Sequence, residues 1–245
     1  HVSGLIGLLQ TKDKVPDPED VVIVGPEGSK RRVSHLMKTC SFHLGFDVDV
    51  VEVTETDTTE PVLRREETEV YAACLDHTLP CLGFCVEERA KRRVDMEALR
   101  REGVEEGPHI GALQAGETIE YEGETYASDE YTFIPETLSV GYVVDSRPCK
   151  AGQQLASGVD ALICESTFDE ANSDRAREYK HMTAKEAAGL ADKAEVQQLF
   201  LTHFSQRFRD TTPLEEEASG VFDDVTAARD FLEVKLPFSE NERSA

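Results

Sequence analysis

Residues 159–203, VDALICESTFDEANSDRAREYKHMTAKEAAGLADKAEVQQLFLTH, contain two short hydrophobic runs separated by a polar segment with helical spacing. The two runs, Val159–Cys164 and Val196–Thr202, are rich in branched and large apolar residues, which is typical of buried strands. Between them, Thr183-Ala-Lys-Glu186 has the pattern of a capping box and predicts a helix that continues to about Lys193. This alternation of strand, helix and strand predicts a layered α/β domain.

Further strands and helices are predicted on the N-terminal side of this stretch. The strands are Val21–Val24, Phe46–Val53, Val70–Leu75, Cys81–Val86 and residues 137–146, and the helices are Ser3–Gln10 and Ser29–Cys40. The 245 residues show no internal repeat and are enough for one large domain or two small ones.

Four predicted strands end at or close to a residue that can bind a metal ion or transfer a proton. These residues are His77, Asp145, Glu165 and His203. In layered α/β folds, ligands bind beyond the carboxyl ends of strands, because the loops converge there. Imidazole nitrogens and carboxylate oxygens suit a divalent metal such as Zn²⁺. A single aspartate at a strand end is more often a turn residue, so the predicted metal site depends on the four residues together.

His181 lies two residues before the predicted helix that starts after Thr183. A histidine at this position is commonly structural, and a protonated one opposes the helix dipole. A cationic His181 therefore requires an acidic partner such as Glu165, and with that partner it can donate a proton to a leaving oxygen. His35 and His43 fit no such pattern and are interpreted as structural.

The chain is strongly acidic, with 49 acidic and 26 basic residues and a net charge of −23. Such a charge repels nucleic-acid phosphates at long range and argues against a general DNA- or RNA-binding protein. The acids are spread along the chain, and 39% of the residues are hydrophobic, which excludes a disordered acidic tail. We interpret the charge as a salt-adapted, halophile-type surface.

Several sequence features indicate a cytoplasmic protein. No apolar run approaches the roughly 20 residues of a membrane span, and no signal-peptide pattern opens the chain. The six cysteines include no Cys-x-x-Cys pair, and most lie in apolar stretches, so we expect free thiols in a reducing compartment.

Seven segments, in order along nearly the whole chain, resemble ribonuclease Z, the tRNA 3′-processing endonuclease family of the metallo-β-lactamase superfamily. They are His1-Val-Ser-Gly-Leu-Ile-Gly-Leu-Leu9, Val24-Gly-Pro26, His77 before Gly83-Phe84, Val144-Asp-Ser-Arg147, Cys164-Glu-Ser-Thr-Phe168, His181-Met-Thr183 and Leu201-Thr-His-Phe-Ser205. The closing segment Asp230–Pro237 also resembles the last strand of that family.

The resemblance implies an α/β fold of the metallo-β-lactamase type, a four-layer αββα sandwich that binds two zinc ions. By the same resemblance His1, Asp145 and His203 hold one zinc, while His77 and Asp145 hold the other, so that Asp145 bridges the two ions. Two metal ions can together activate a water and neutralise the attacked phosphodiester. Glu165 and His181 correspond to the pair that protonates the leaving ribose oxygen.

The sequence departs from the family pattern at its start and within two later motifs. His1 matches only the last residue of the leading His-x-His-x-Asp-His motif, so the remaining ligands, the general base and the first strands are expected upstream. We therefore expect the 245-residue chain by itself to be inactive and poorly folded, and the natural protein to be an enzyme. Cys164, Ser166 and Met182 replace the usual histidine, alanine and serine, but the neighbouring Glu165 and His181 are retained.

Residues 89–101 carry six cations and only two acids in an otherwise acidic chain. Such a segment is ordinarily a solvated helix, which here would end at Gly103. A small hairpin is expected after it, before the core resumes near Thr132. Together with Gly107-Pro108, the segment resembles the family's protruding tRNA-binding arm, here at about 88–130 of a single 1–245 domain. The residues expected to bind RNA are Arg89, Lys91, Arg92, Arg93, Arg100, Arg101, Gly107 and Pro108.

Three interpretations remain open at this point. The first is a ribonuclease Z-type endonuclease that acts on precursor tRNA, with no DNA or membrane partner. The second is another metallo-β-lactamase-fold hydrolase of a small ester or phosphodiester, and the third is a non-catalytic dimerisation module of that fold. A homodimer is expected from the family, with the Leu5–Leu9 helix or the Val33–Met37 segment as candidate contacts.

Overall fold

The computed structural model describes residues 2–40, 43–55, 59–65, 67–89, 91–135 and 137–236, which form two compact units. The helices are α1 (Leu5–Lys12), α2 (Ser29–Cys40), α3 (Met96–Arg101), α4 (Ile110–Gln114), α5 (Ser128–Tyr131), α6 (Lys150–Leu155), α7 (Ser173–Tyr179), α8 (Ala184–Lys193) and α9 (Thr212–Ser219). The strands are β1 (Val21–Pro26), β2 (Val48–Val53), β3 (Leu63–Arg64), β4 (Thr68–Cys74), β5 (Leu82–Glu88), β6 (Arg93–Val94), β7 (Ile119–Tyr121), β8 (Glu124–Tyr126), β9 (Thr132–Phe133), β10 (Ser139–Val143), β11 (Ala161–Glu165), β12 (Gln198–Thr202) and β13 (Val225–Ala227).

The first unit is built around a seven-stranded sheet with the order β13-β12-β11-β10-β5-β4-β3. Strands β10, β11, β12 and β13 are parallel to one another, whereas β3 and β4 pair antiparallel. A separate parallel pair, β1 and β2, lies earlier in the chain. Helices connect the successive parallel strands, because parallel strands can only be joined by a crossover connection. The layered α/β organisation predicted from the sequence is therefore confirmed.

The register of the parallel strands brings their carboxyl ends into one row. Val143 of β10 pairs with Cys164 of β11, which pairs with Leu201 of β12. One position further, Glu165 pairs with Thr202. The residues that follow β10 and β12 and the last residue of β11 therefore meet at the same edge of the sheet.

Helix α8 packs on this sheet through a face of small residues. It begins with the predicted capping box, in which the Thr183 hydroxyl accepts from the Glu186 amide and the Glu186 carboxylate accepts from the Thr183 amide. The buried residues of the helix are mainly alanines, and they contact sheet residues such as Leu162 and Leu199, which are 0% exposed. Small side chains allow the helix backbone to lie close to the sheet, which fixes the loop that precedes α8.

The second unit is centred on residues 87–138 and has a core of its own. Its two short sheets are the pairs β6–β9 and β7–β8, and the second pair is the hairpin that was predicted in this region. Its buried core residues are Leu99, Val104, Leu113, Ile119 and Tyr126.

The predicted helix at 89–101 and the predicted strand at 230–237 are both wrong. Residues 89–101 do not form one helical stretch, since Arg93–Val94 is a strand and α3 begins only after Asp95. The Asp95 carboxylate accepts from the amides of Glu97 and Ala98 and so starts the helix there. The family's last strand was expected at Asp230–Pro237, but residues 230–236 contain no strand, and Pro237 lies outside the described residues.

Within the described ranges, no helix is both long and apolar enough to cross a bilayer.

Candidate metal centre

Three of the predicted site residues converge at the carboxyl edge of the large sheet. Asp145 lies two residues beyond β10, Glu165 ends β11, and His203 directly follows β12. His203 Nε2 is 3.0 Å from Asp145 Oδ1. The adjacent parallel strands, paired in register, place these side chains together.

Two further histidines come to the same edge from neighbouring loops. His77 follows β4, and its ring centroid is 5.0 Å from that of His181. The ring of His181 is in turn 5.4 Å from that of His203. Among the described residues, two groups have ligand atoms within 4.8 Å of one another, namely His77, Asp145, His181 and Glu165, His181, His203. His1, the fourth predicted metal ligand, lies outside the described residues.

The backbone at this edge adopts an uncommon conformation. Asp145 has φ of 53° and His203 has φ of 56°, both in the left-handed region. Non-glycine residues in this region are uncommon and often mark functional sites, where the surrounding structure holds them in place. The conformation turns each side chain out of the strand direction toward the common site.

Glu165 is fully buried and has four hydrogen-bond donors around its carboxylate. The amides of Ser146 and Met182 donate to Oε1 and Oε2, respectively, and the Thr167 hydroxyl donates to Oε2 over 2.8 Å. His181 Nδ1 lies 3.1 Å from both oxygens. A buried carboxylate requires such donors, because it has lost its hydration. The residue is thus fixed as a partner for His181.

The contact with Glu165 changes the proton affinity of His181. The hydrogen bond from Nδ1 to Glu165 raises the pKa of His181, burial lowers it, and the negative charges of Glu165 and Asp145 raise it further. The net effect is a pKa above the ordinary value. Nδ1 faces Glu165, so Nε2 on the far side of the ring is available to hold or release a proton.

His77 is oriented as a metal ligand would be. Its Nδ1 is 3.1 Å from the carbonyl oxygen of Lys180. A carbonyl can only accept, so Nδ1 donates the proton of this bond, and in the neutral ring Nε2 then has the lone pair. Metal-binding histidines commonly use their second nitrogen in this way. An ion pair of 2.7 Å between Lys180 Nζ and Asp76 Oδ1 holds the two loops together.

Arg147 connects the loops of the site, a role that the sequence did not reveal. Its Nη1 donates to the carbonyl oxygen of His181 over 2.6 Å and to Glu186 Oε2 over 2.7 Å. Its amide donates to the carbonyl oxygen of Asp76 over 2.9 Å. The only signal in the sequence was its place in the Val144–Arg147 segment.

Thr167 is a second residue whose role was not predicted. Its hydroxyl lies between Glu165 and His203 Nδ1, which is 2.9 Å away. The sequence offers no more than a Ser-Thr pair after the glutamate that ends β11.

No cysteine belongs to either of the two groups of possible metal ligands among the described residues. Burial, and then the negative charges of Asp145 and Glu165, raise the pKa of Cys81 to about 12. Its thiol therefore keeps its proton, which it donates to the carbonyl oxygen of Val144 over 3.4 Å. All six cysteines are free, as expected, and Cys85 and Cys164 are buried.

The cations predicted to bind RNA lie in or next to the second unit, and most have acidic partners there. Lys91 pairs with Glu67, Arg92 with Asp129, Arg100 with Glu106 and Arg101 with Glu97. Arg93 is exposed in β6, and the amide of Arg89 donates to the carbonyl oxygen of Glu67. Except for Arg92, the paired cations expose more than half of their side chains.

Gly107 and Pro108 form a turn that leads into α4. The Ile110 amide donates to the carbonyl oxygen of Gly107 over 3.0 Å. The ring of His109 folds back so closely that a Cβ at Gly107 would lie 2.8 Å from it. A glycine is therefore required here for close packing.

Curated proteins with similar sequences are ribonucleases Z. The ribonuclease Z of Ignicoccus hospitalis is 35% identical over 236 residues, which are 96% of this chain and 77% of that protein. The ribonuclease Z of Haloferax volcanii is 33% identical over 247 residues, with 99% and 77% of the two chains covered. No family model matches the chain.

Solved structures with the same fold are metallo-β-lactamase-type proteins. The short form of human tRNase Z superposes with a TM-score of 0.60 at 24% identity, covering 97% of this chain and 75% of that one. The metallo-β-lactamase fold protein YhfI of Bacillus subtilis gives a TM-score of 0.59 at 17% identity, with 94% and 70% covered. These likenesses confirm the predicted fold class.

Proposed function

This chain belongs to the ribonuclease Z family, and we propose that it is a zinc-dependent endoribonuclease that removes the 3′ trailer of tRNA precursors. The observation that carries the proposal is the convergence of His77, Asp145 and His203 beside the buried Glu165–His181 pair. The first group supplies metal ligands and the second a proton donor, and phosphodiester hydrolysis needs both.

The donor atoms present fit divalent zinc. Zinc takes imidazole nitrogen and carboxylate oxygen at about 2.0–2.2 Å, so two of its ligand atoms lie roughly 3 Å apart, as His203 Nε2 and Asp145 Oδ1 do. We propose that His77, Asp145 and His203 hold the two ions, together with His1. Bound zinc would act as a Lewis acid toward the phosphodiester and lower the pKa of a water.

Side chains of the protein would donate the proton that the leaving group needs. As a water oxygen bonds to phosphorus and loses a proton, the bond between phosphorus and O3′ breaks; His181 Nε2 donates its proton to O3′, which leaves as a 3′-hydroxyl while the phosphate stays on the trailer. The Glu165 carboxylate, 3.1 Å from Nδ1, stabilises the imidazolium before the transfer. Arg147 and Glu165 together fix the backbone and the ring of His181.

A cleavage assay with precursor tRNA and the zinc-loaded full-length protein tests this proposal. We expect chelation to abolish activity and zinc to restore it, with a trailer-free product that carries a 3′-hydroxyl. Asp145→Asn and His203→Ala should lose both zinc and activity. His181→Asn should keep its zinc but lose activity by about 10²–10⁴-fold, the usual contribution of a general acid.

His35→Ala provides a matched control, because His35 is exposed on α2 and distant in sequence from the site. It should leave both activity and zinc content unchanged. Undiminished cleavage by His181→Asn would remove the proton-donor role. Hydrolysis of small phosphodiesters without any cleavage of precursor tRNA would instead favour another hydrolase of the same fold.

We propose that the second unit is the arm that binds the tRNA body. Arg and Lys contacts to phosphates position RNA without reading its bases, which suits an enzyme that accepts many tRNAs. Arg100 and Arg101 on α3 form solvent-exposed ion pairs with Glu106 and Glu97. Such pairs contribute little free energy, so RNA phosphates can replace the two carboxylates.

We further propose that the protein acts in the cytoplasm as a homodimer. The α1 and α2 segments are the candidate contact, because Leu8 of α1 is 66% exposed. Sedimentation equilibrium of the wild type and Leu8→Glu would measure the oligomeric state, and a monomeric wild type would exclude the dimer.

A further inference from the structure

We propose that Thr167 is a positioning residue that joins the metal ligand His203 and the carboxylate of Glu165 into one directed hydrogen-bond chain. The inference rests on the proposed function, since it assumes that His203 binds a metal ion. It goes further by assigning a role to a hydroxyl that neither binds the metal nor transfers a proton to substrate.

The Thr167 hydroxyl is placed between three partners. Its Oγ1 lies 2.8 Å from Glu165 Oε2, 2.9 Å from His203 Nδ1 and 3.0 Å from the carbonyl oxygen of His203. The residue is 8% exposed, so water cannot readily replace these contacts. Thr167 and His203 follow the adjacent strands β11 and β12, whose last residues, Glu165 and Thr202, are paired.

The number of protons decides the direction of these bonds. A threonine hydroxyl has one proton to donate and lone pairs to accept with, whereas a carboxylate and a carbonyl can only accept. When His203 Nε2 gives its lone pair to a metal ion, the ring proton must lie on Nδ1. Thr167 Oγ1 then accepts from Nδ1 and has one proton to donate, for which Glu165 Oε2 at 2.8 Å is the nearer acceptor and the carbonyl oxygen of His203 at 3.0 Å is the other.

The resulting chain runs from His203 through Thr167 to Glu165 and ends at the carboxylate that holds His181. The opposite direction, with Thr167 donating to Nδ1, would place the ring proton on Nε2 and prevent metal binding. Thr167 therefore selects the histidine tautomer that can act as a ligand. Hydrogen bonds of this kind typically change metal affinity by 10–100-fold.

The proposal is tested by measuring the zinc affinity of three variants of the full-length protein. The measurement uses competition with a chromophoric chelator. Thr167→Val has nearly the same shape but no hydroxyl, and we expect it to lose about 10–100-fold in zinc affinity. Thr167→Ser keeps the hydroxyl and should retain nearly all of the affinity. Ser166→Ala is the matched control, because it removes the adjacent buried hydroxyl, which donates to the Thr202 carbonyl and not to the site.

Nuclear magnetic resonance of the zinc-loaded protein gives a second readout that does not depend on activity. A slowly exchanging proton on His203 Nδ1 should appear in the wild type and Thr167→Ser and be absent from Thr167→Val. If valine prevents folding, Thr167→Ala removes the same hydroxyl without adding bulk and should show the same loss.

Unchanged zinc affinity and a persistent Nδ1 proton in a folded variant without the hydroxyl would overturn the role of Thr167. A wild-type protein that binds no zinc would overturn the proposed function as well. The two failures are therefore distinguishable.

Discussion

Glu186 shows how one side chain can fix several parts of the site. Its carboxylate accepts from the Thr183 amide over 3.0 Å and from Arg147 Nη1 over 2.7 Å. Burial by itself would raise the pKa of Glu186, but the hydrogen bonds from Arg147 and Thr183 and the charges of Arg147 and Arg177 reverse this, so the pKa lies below its ordinary value. Glu186 thus contributes to stability as an anion.

Glu186→Gln should destabilise the protein at neutral pH and much less in acid. A group whose pKa is lowered by folding stabilises the fold above its unfolded pKa, and the contribution is lost as the pH falls through the folded value. We expect a loss of about 2 kcal/mol in the free energy of unfolding at pH 7, typical of a hydrogen bond to a charged group. The difference from the wild type should shrink below about pH 4, near the unfolded pKa of glutamate.

Chemical denaturation of the wild type and Glu186→Gln at pH 7 and at about pH 3, below the unfolded pKa of glutamate, measures this difference. Glu178→Gln, at an exposed position on α7, makes the same substitution and should have little effect at either pH. A loss for Glu186→Gln that is as large at about pH 3 as at pH 7 would contradict the electrostatic explanation.

The sequence pointed to some residues of the candidate site and not to others, for a physical reason. Asp145, Glu165 and His203 stand at the ends of hydrophobic strands, and ionisable groups in that position are conspicuous in a sequence. Thr167 acts through a partner 36 positions away. A threonine in a turn is common, so only the strand register could reveal its contact with His203.

At the level of elements, local patterns predicted what local interactions determine. Helices α2 and α8 follow from their periodicity and, for α8, from a capping box made within four residues. Strand β6 could not be predicted in this way, because it is stabilised by pairing with β9, which lies far along the chain. The strand at Asp230–Pro237 was expected from the resemblance to the family, but residues 230–236 form no strand and Phe231 is fully exposed, so similarity of this short segment was misleading.

Helix α3 is the element on which we expect the arm to depend for RNA binding. Replacing Arg100 and Arg101 together with alanine should lower kcat/KM for precursor tRNA by roughly tenfold, because two phosphate contacts are lost. Hydrolysis of a small phosphodiester such as bis(p-nitrophenyl) phosphate should be unchanged, since it needs only the metal centre. Steady-state kinetics on both substrates measure the two effects.

A control with the same change of charge separates local contacts from net charge. Lys150→Ala with Lys193→Ala removes two exposed cations from the first unit and should affect precursor tRNA much less. Equal losses on the two substrates in the α3 variant would show that it acts through the metal centre, and the arm assignment would fail.

For the whole molecule, the charge balance sets how RNA can be bound. Residues 87–138 contain fourteen acids and six cations, so even the proposed arm is acidic overall. Four of the cations are paired with carboxylates, which occupy the same donors that a phosphate would use. RNA must therefore exchange with these carboxylates and approach against the repulsion of a chain with net charge −23.

The ion pairs of the arm and the net negative charge together predict an unusual salt dependence of RNA affinity. Binding of nucleic acid by a basic protein weakens steadily with salt, because bound counterions are released. Here added salt also screens the repulsion, over a Debye length that falls from about 10 Å at 0.1 M to about 3 Å at 1 M. We expect the affinity for precursor tRNA to rise from 0.1 M KCl toward 1 M, as measured by filter binding or fluorescence anisotropy with uncleavable RNA.

Removing single carboxylates separates pairing from net charge. Glu106→Gln releases Arg100 and should increase affinity at 0.1 M KCl by a few-fold, because an exposed ion pair contributes at most about 1 kcal/mol. Glu124→Gln changes the net charge equally, but among the described residues Glu124 forms no ion pair, so its effect should be smaller. The advantage of Glu106→Gln should disappear near 1 M KCl, where the pair is screened in the wild type as well. Equal effects of the two substitutions, or an affinity that falls steadily from 0.1 M, would mean that the paired arginines do not exchange their carboxylates for RNA phosphate.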